Sequence, residues 1–115
     1  MRNHFDEEIN ELLQGLDFQE EPRRLGEILA AEKELFDRIW YHRSIQHDYR
    51  VERDGNAEEL ERHQAIAGPG RARVEAMYAK FGQLGPYTDF ELGMLTGKMS
   101  ALRWVLGSEW DFLDT

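Results

Sequence analysis

Apolar residues recur along this chain at the spacing of helices. Phe5, Ile9, Leu12, Leu13 and Leu16 fall at i, i+4, i+7, i+8 and i+11, which places them on one face of a short amphipathic helix ending near Gly15 or Leu16. A polar connection over 17–21 leads to Pro22, which fits a first helical turn because an amide there would lack an intrahelical partner anyway. From it a second helix is predicted over about residues 22–50, roughly 43 Å of rod at 1.5 Å per residue. That is longer than a compact domain of this size is wide. Asp54-Gly55-Asn56 stops this helix and offers Asn56 as the cap of a third segment reaching Ala67. Gly68-Pro69-Gly70 is then expected to break the chain outright. Val74, Met77, Tyr78 and Phe81 repeat at helical spacing with Gly82 as the stop, predicting a helix over 71–81. Gly85-Pro86 marks a turn, and Thr88 with Glu91 forms a capping-box pattern opening a last helix to about Leu106. Trp110, Phe112 and Leu113 are expected to fold back onto it. With no strand-like alternation of useful length, the chain reads as one all-α domain over 1–115, a helical bundle of four to five helices with one long helix.

Two of these helices carry more apolar surface than one core requires. On the long helix Leu25, Ile28, Leu29, Phe36, Ile39 and Trp40 share a face, while Tyr41, Ile45 and Tyr49 form a second strip on the other side. The helix therefore either kinks or enters a second core in its latter half. On the last helix Phe90, Met94, Ala101, Trp104 and Val105 make one face, and Leu92, Leu95, Met99, Leu102 and Leu106 make another. Gly93, Thr96, Gly97 and Ser100 lie between them as a strip of small residues whose main use is close packing within the monomer. A helix that is apolar on two sides is central in a bundle or buries one side in a partner. With so few helices to cover these faces, a homodimer, or a pairing with another protein, resolves the excess. The faces assigned to it are Tyr41, Ile45 and Tyr49 on the long helix and Leu92, Leu95 and Met99 on the last.

Charge narrows the partners. The net charge of −9 divides into −7 over residues 1–37 (eleven acids, four bases), +1 over 38–80 (seven and eight) and −3 over 81–115 (five and two). Nucleic-acid binding needs clustered bases for phosphate neutralisation, so it is set aside. The arginines of the middle third are expected to pair with the acidic first third. No apolar run approaches the roughly 20 residues of a membrane span, and the first residues lack the pattern of an export signal. The absence of cysteine removes disulfides, thiolate metal sites and cysteine nucleophiles, and suits the reducing cytoplasm.

Candidate chemistry is sparse. No Glu-x-x-His occurs, no two histidines stand three or four apart, and Glu59 with His63 reads as an exposed helix pair. Ser44, Ser100 and Ser108 belong to no nucleophile motif, and Glu32, interrupting the apolar stripe, is expected to pair with an arginine. Glu8 and Glu11 form an E-x-x-E, and Glu34 and Asp37 an E-x-x-D on the next helix. Over residues 5–42 this resembles the core motif of MazG-type all-α nucleoside triphosphate pyrophosphohydrolases. The resemblance implies magnesium held by Glu8, Glu11, Glu34 and Asp37, neutralising phosphates and orienting a water. The alternative is that all four are solvated. Gly68-Pro69-Gly70 leads into a predicted helix N-terminus, where Gly70, Arg71 and Arg73 could hold an anion, against an ordinary helix break as the alternative.

The stretch Gly85-Pro86-Tyr87-Thr88-Asp89-Phe90-Glu91, with Ala101-Leu102-Arg103-Trp104-Val105-Leu106-Gly107 and Trp110-Asp111-Phe112-Leu113, is similar to the carboxyl-terminal part of a group of small prokaryotic helical proteins. That resemblance implies a natural standalone cytoplasmic protein and brings no activity with it. The function expected from the sequence is a homodimeric, non-catalytic association or scaffold protein without cofactor; the alternative is a magnesium-dependent pyrophosphohydrolase.

Overall fold

A computed structural model of the chain describes residues 4–14, 21–82 and 84–110. Among them all regular structure is helical: α1 (His4–Gln14), α2 (Leu25–Asp54), α3 (Ala57–Tyr78), a short 3-10 turn (Ala79–Phe81) and α4 (Asp89–Val105). The long helix starts three residues later than the proline suggested. Residues 21–24 stay non-helical, and the Glu27 carboxylate accepts the Arg24 amide at 3.2 Å, closing the first turn at Leu25. Asn56 caps α3 by accepting the Glu59 amide at 2.8 Å, and Thr88 caps α4 by accepting the Glu91 amide at 3.1 Å. Glu91 returns a bond from the Thr88 amide at 3.0 Å, completing the expected capping box. The predicted end of the first helix at Gly15 or Leu16, and the tail residues Phe112 and Leu113, lie outside the described residues. Trp110 does fold back, its ring edge-on to Trp104 at 5.9 Å.

The expected break at Gly68-Pro69-Gly70 is absent, because α3 runs through it as one helix of 22 residues. Proline removes one backbone bond and two glycines lower helix propensity. Tertiary packing outweighs this: Ala67 and Val74 on either side are buried, and Arg71 is clasped to α2. Gly70 is required by closeness rather than by a turn. A Cβ built there would stand 2.7 Å from Cη2 of Trp40.

The helices are arranged as a central rod with two attachments. Among the described residues α3 and α4 each pack on α2 and not on one another, and α1 packs on none of them. Both run antiparallel to α2, since Asp37 meets Tyr78 while Asp48 meets Arg71, and Glu32 meets Arg103 while His42 meets Tyr87. The second strip of α2 is covered at its start: Tyr41, together with Trp40, packs against the buried Val74, Tyr78 and Leu84 cluster, while Tyr49 stays exposed. The result is elongated, 66 × 30 × 23 Å, with a radius of gyration of 19.5 Å against about 13 Å for a compact domain of this length.

Candidate functional site

The polar groups that the fold buries gather where α3 and the loop before α4 meet the middle of α2. Asp37 is 2% exposed. Its Oδ2 accepts Lys33 Nζ at 2.9 Å and the Tyr78 hydroxyl at 2.9 Å, with Arg73 Nη1 at 3.5 Å. Burial alone would raise its pKa, but these three donors outweigh it and hold the carboxyl below the usual range. Arg38, also buried, donates to Glu34 at 2.9 Å, bonds the Tyr87 hydroxyl and lies over the Tyr78 ring. His42 is 1% exposed, and its Nδ1 accepts the Tyr87 amide at 3.0 Å, which fixes the ring proton on Nε2. Nε2 has no hydrogen-bond partner among the described residues. Burial, then the Arg43 charge, depresses the His42 pKa against an opposing effect of Asp89, so the ring is neutral.

One turn further along α2 a second polar clasp joins α3. Arg71 donates to Asp48 at 2.7 Å, to the Ser44 hydroxyl at 2.9 Å and to the Ser44 carbonyl at 2.6 Å. His63 Nε2 stands 3.1 Å from the Asp48 carboxylate, with its ring edge-on to His47 at 4.2 Å. Chiefly through Arg71, the Asp48 pKa is lowered. The Tyr41 hydroxyl donates to Glu75 at 2.6 Å, and burial together with that carboxylate pushes its pKa up to about 12. Serine, histidine and aspartate meet here without forming a nucleophile relay. The Ser44 hydroxyl donates to the Tyr41 carbonyl, and His63 faces the Ser44 carbonyl rather than its hydroxyl.

These clasps account for several residues singled out in the sequence. Arg71 and Arg73 are taken by Asp48 and Asp37, and Gly70 sits within a continuous helix, so no free helix N-terminus stands beside them to hold an anion. Glu34 pairs with Arg38, and Asp37 is engaged as described. Glu8 and Glu11 are exposed on α1, which packs on no other element among the described residues. The four carboxylates therefore do not converge, and among the described residues no three metal-ligating side chains do. Glu32 pairs with Arg103 at 2.8 Å, as its place on the apolar stripe suggested. The pairing of middle arginines with acidic early residues holds for Arg38 and Arg73, whereas Arg71 turns to Asp48 instead.

The α4 flank differs in kind. Phe36, Ile39, Trp40 and Arg43 of α2 face Thr96, Met99, Ser100 and Arg103 of α4 across a groove of about 210 Å³. Met99 thus faces α2, and Leu92, Leu95, Leu102 and Leu106 on the same side are half-buried. The opposite side is left open: Phe90 is 76% exposed, Trp104 56%, Val105 55% and Met94 47%. The two faces legible in the sequence both exist: the one holding Leu92, Leu95 and Met99, assigned to a partner, lies half-buried toward α2, and the one holding Phe90, Met94, Trp104 and Val105 is the more exposed. On α2, Tyr41 and Ile45 are half-buried and Tyr49 is exposed. No helix among the described residues is long and apolar enough to cross a membrane. Comparisons with protein-family models, with curated proteins and with solved structures found no match.

Proposed function

We propose that this chain is a non-catalytic association protein that completes its fold by pairing with a second copy of itself, in the cytoplasm. The observation that carries the reading is an imbalance of surface. The chain exposes 9291 Å², whereas a compact monomer of its mass exposes roughly 6500 Å². Part of this surplus of roughly 2800 Å² belongs to α1, which among the described residues packs on no other helix; the exposed faces of α2 and α4 are to be set against the ~800 Å² that each partner contributes to a standard interface. Large apolar side chains stand exposed on both helices, Leu25, Leu29 and Phe36 on α2 and Phe90, Met94, Trp104 and Val105 on α4. The buried polar groups support the same reading, since each is spent on holding α3 or α4 to α2 rather than facing a cleft. A cysteine-free chain suits the cytoplasm.

Light scattering at tens of micromolar is expected to give twice the 13.5 kDa mass of one chain; a mass of one chain would overturn the proposal. Magnesium with a nucleoside triphosphate is expected to leave the melting temperature unchanged. A rise of several degrees that disappears in Glu8→Gln and Glu34→Gln would instead assign the chain to pyrophosphohydrolase chemistry.

A further inference from the structure

The outer face of α4 has an order that bare apolar exposure would not require. Phe90, Met94, Gly97, Ala101 and Trp104 follow one another at steps of four, three, four and three, the 3.5-residue repeat of a coiled-coil seam. Phe90, Met94, Gly97 and Trp104 are exposed and Ala101 is half-buried. Glu91 and Lys98 border this seam on one side, and Asp89 flanks Phe90 on the other. The five seam positions themselves carry no charge, so two copies of a chain with net charge −9 can meet along them with their acids left at the rim. Phe90 and Trp104 stand seven residues before and after Gly97, so the seam is bulky at both ends and smallest at its centre. Nothing lies within 4 Å of a Cβ built at Gly93 or Gly97. Within one chain those glycines leave space that no other part of the described structure uses.

We infer that α4 pairs antiparallel with α4 of a second copy along this seam, crossing near Gly97 so that each Phe90 lies toward the partner's Trp104. The inference rests on the association reading and names its contact. Two features select a second α4 over other occupants. The seam from Phe90 to Trp104 is about 21 Å long at the helical rise, while α1, with 11 residues, spans only about 16 Å. An α4 matches it end to end. The antiparallel sense sets the helix dipoles head to tail and places the small centre of one helix on the small centre of the other. The close crossing brings the backbones together while the divergent ends accommodate the large side chains.

Because the chain has no cysteine, single-cysteine variants read this geometry directly. Under mild oxidation Gly97→Cys should form a disulfide-linked dimer roughly tenfold faster than Glu58→Cys on α3, since a disulfide requires the two Cα atoms to lie within about 7 Å. Phe90→Cys alone should not link, but a mixture of Phe90→Cys with Trp104→Cys should. Linking of Phe90→Cys to itself as fast as Gly97→Cys would establish a parallel pair and overturn the inference. So would an intrachain link between Ile9→Cys and Met94→Cys, which would make α1 the cover. All these positions are exposed, and circular dichroism checks that helicity is kept. A wild-type dimer in which Gly97→Cys links no faster than Glu58→Cys sinks the α4 seam alone, whereas a wild-type monomer sinks the association reading beneath it.

Discussion

The two flanks of α2 are held by different means. On one, α3 is fastened by buried polar groups: Asp37 to Tyr78, Asp48 and Ser44 to Arg71, with Val74 fully buried among them. On the other, α4 has no fully buried residue, meets α2 across an open groove and is tied by the half-exposed Glu32–Arg103 pair and by His42 to Tyr87. Polar groups whose partners are fixed in direction specify register. Apolar faces in loose contact specify only proximity, so the α3 flank defines the shape of the chain while the α4 flank leaves apolar side chains exposed.

This contrast is open to measurement. The largest effect is expected from Asp37→Ala, which leaves the Tyr78 hydroxyl and two cations without their shared acceptor and should cost about 3 kcal/mol in urea unfolding. A loss under 1 kcal/mol would mean the clasp is dispensable. Acid should separate the flanks. Since the His42 pKa is depressed below its ordinary 6.5, its contribution is complete above that pH and is lost as pH falls beneath it. Asp37 and Asp48, depressed below 3.8, keep theirs until pH falls under about 4. Hydrogen exchange at Tyr87 and the start of α4 should therefore rise between pH 6.5 and 5 while α3 stays protected; simultaneous loss on both flanks would contradict the division. Paired glycine substitutions give a smaller contrast. Gly70→Ala crowds Trp40 and should lower stability by about 1 kcal/mol. Gly93→Ala, with open space around it, should raise the stability of a single chain by about 0.5 to 1 kcal/mol. Equal signs would place both glycines in the same environment. Smallest of all, Arg103→Ala removes a partly exposed ion pair, and about 0.5 kcal/mol is expected.

What the sequence made legible follows from which forces leave a local trace. Helix spacing and caps are short-range, so Asn56, Thr88 and Glu91 announced their elements correctly, and so did the length of α2. Glycine and proline at 68–70 read as a break because propensity is local, whereas the packing that keeps α3 continuous, around Ala67, Val74 and the Arg71–Asp48 clasp, comes from α2, more than twenty residues away in sequence. The same distance hid Asp37. Its position off the apolar stripe of α2 marks it as solvated until α3 brings Tyr78 and Arg73 over it. His42 offered no signal at all, because its partner is the backbone amide of Tyr87. The two faces of α4 were readable from periodicity, but which one turns inward depends on Phe36, Ile39 and Trp40 across the groove.

The uninterrupted passage of α3 through Gly68-Pro69-Gly70 has a consequence for the order of assembly. Those three residues offer little encouragement to helix nucleation, so a peptide spanning 57–81 should be mostly coil by itself and should gain helicity when added to one spanning 25–54. The long rod then serves as a template on which its neighbour winds, and folding speed should depend on Trp40 and Asp37 more than on any residue within the Gly-Pro-Gly passage.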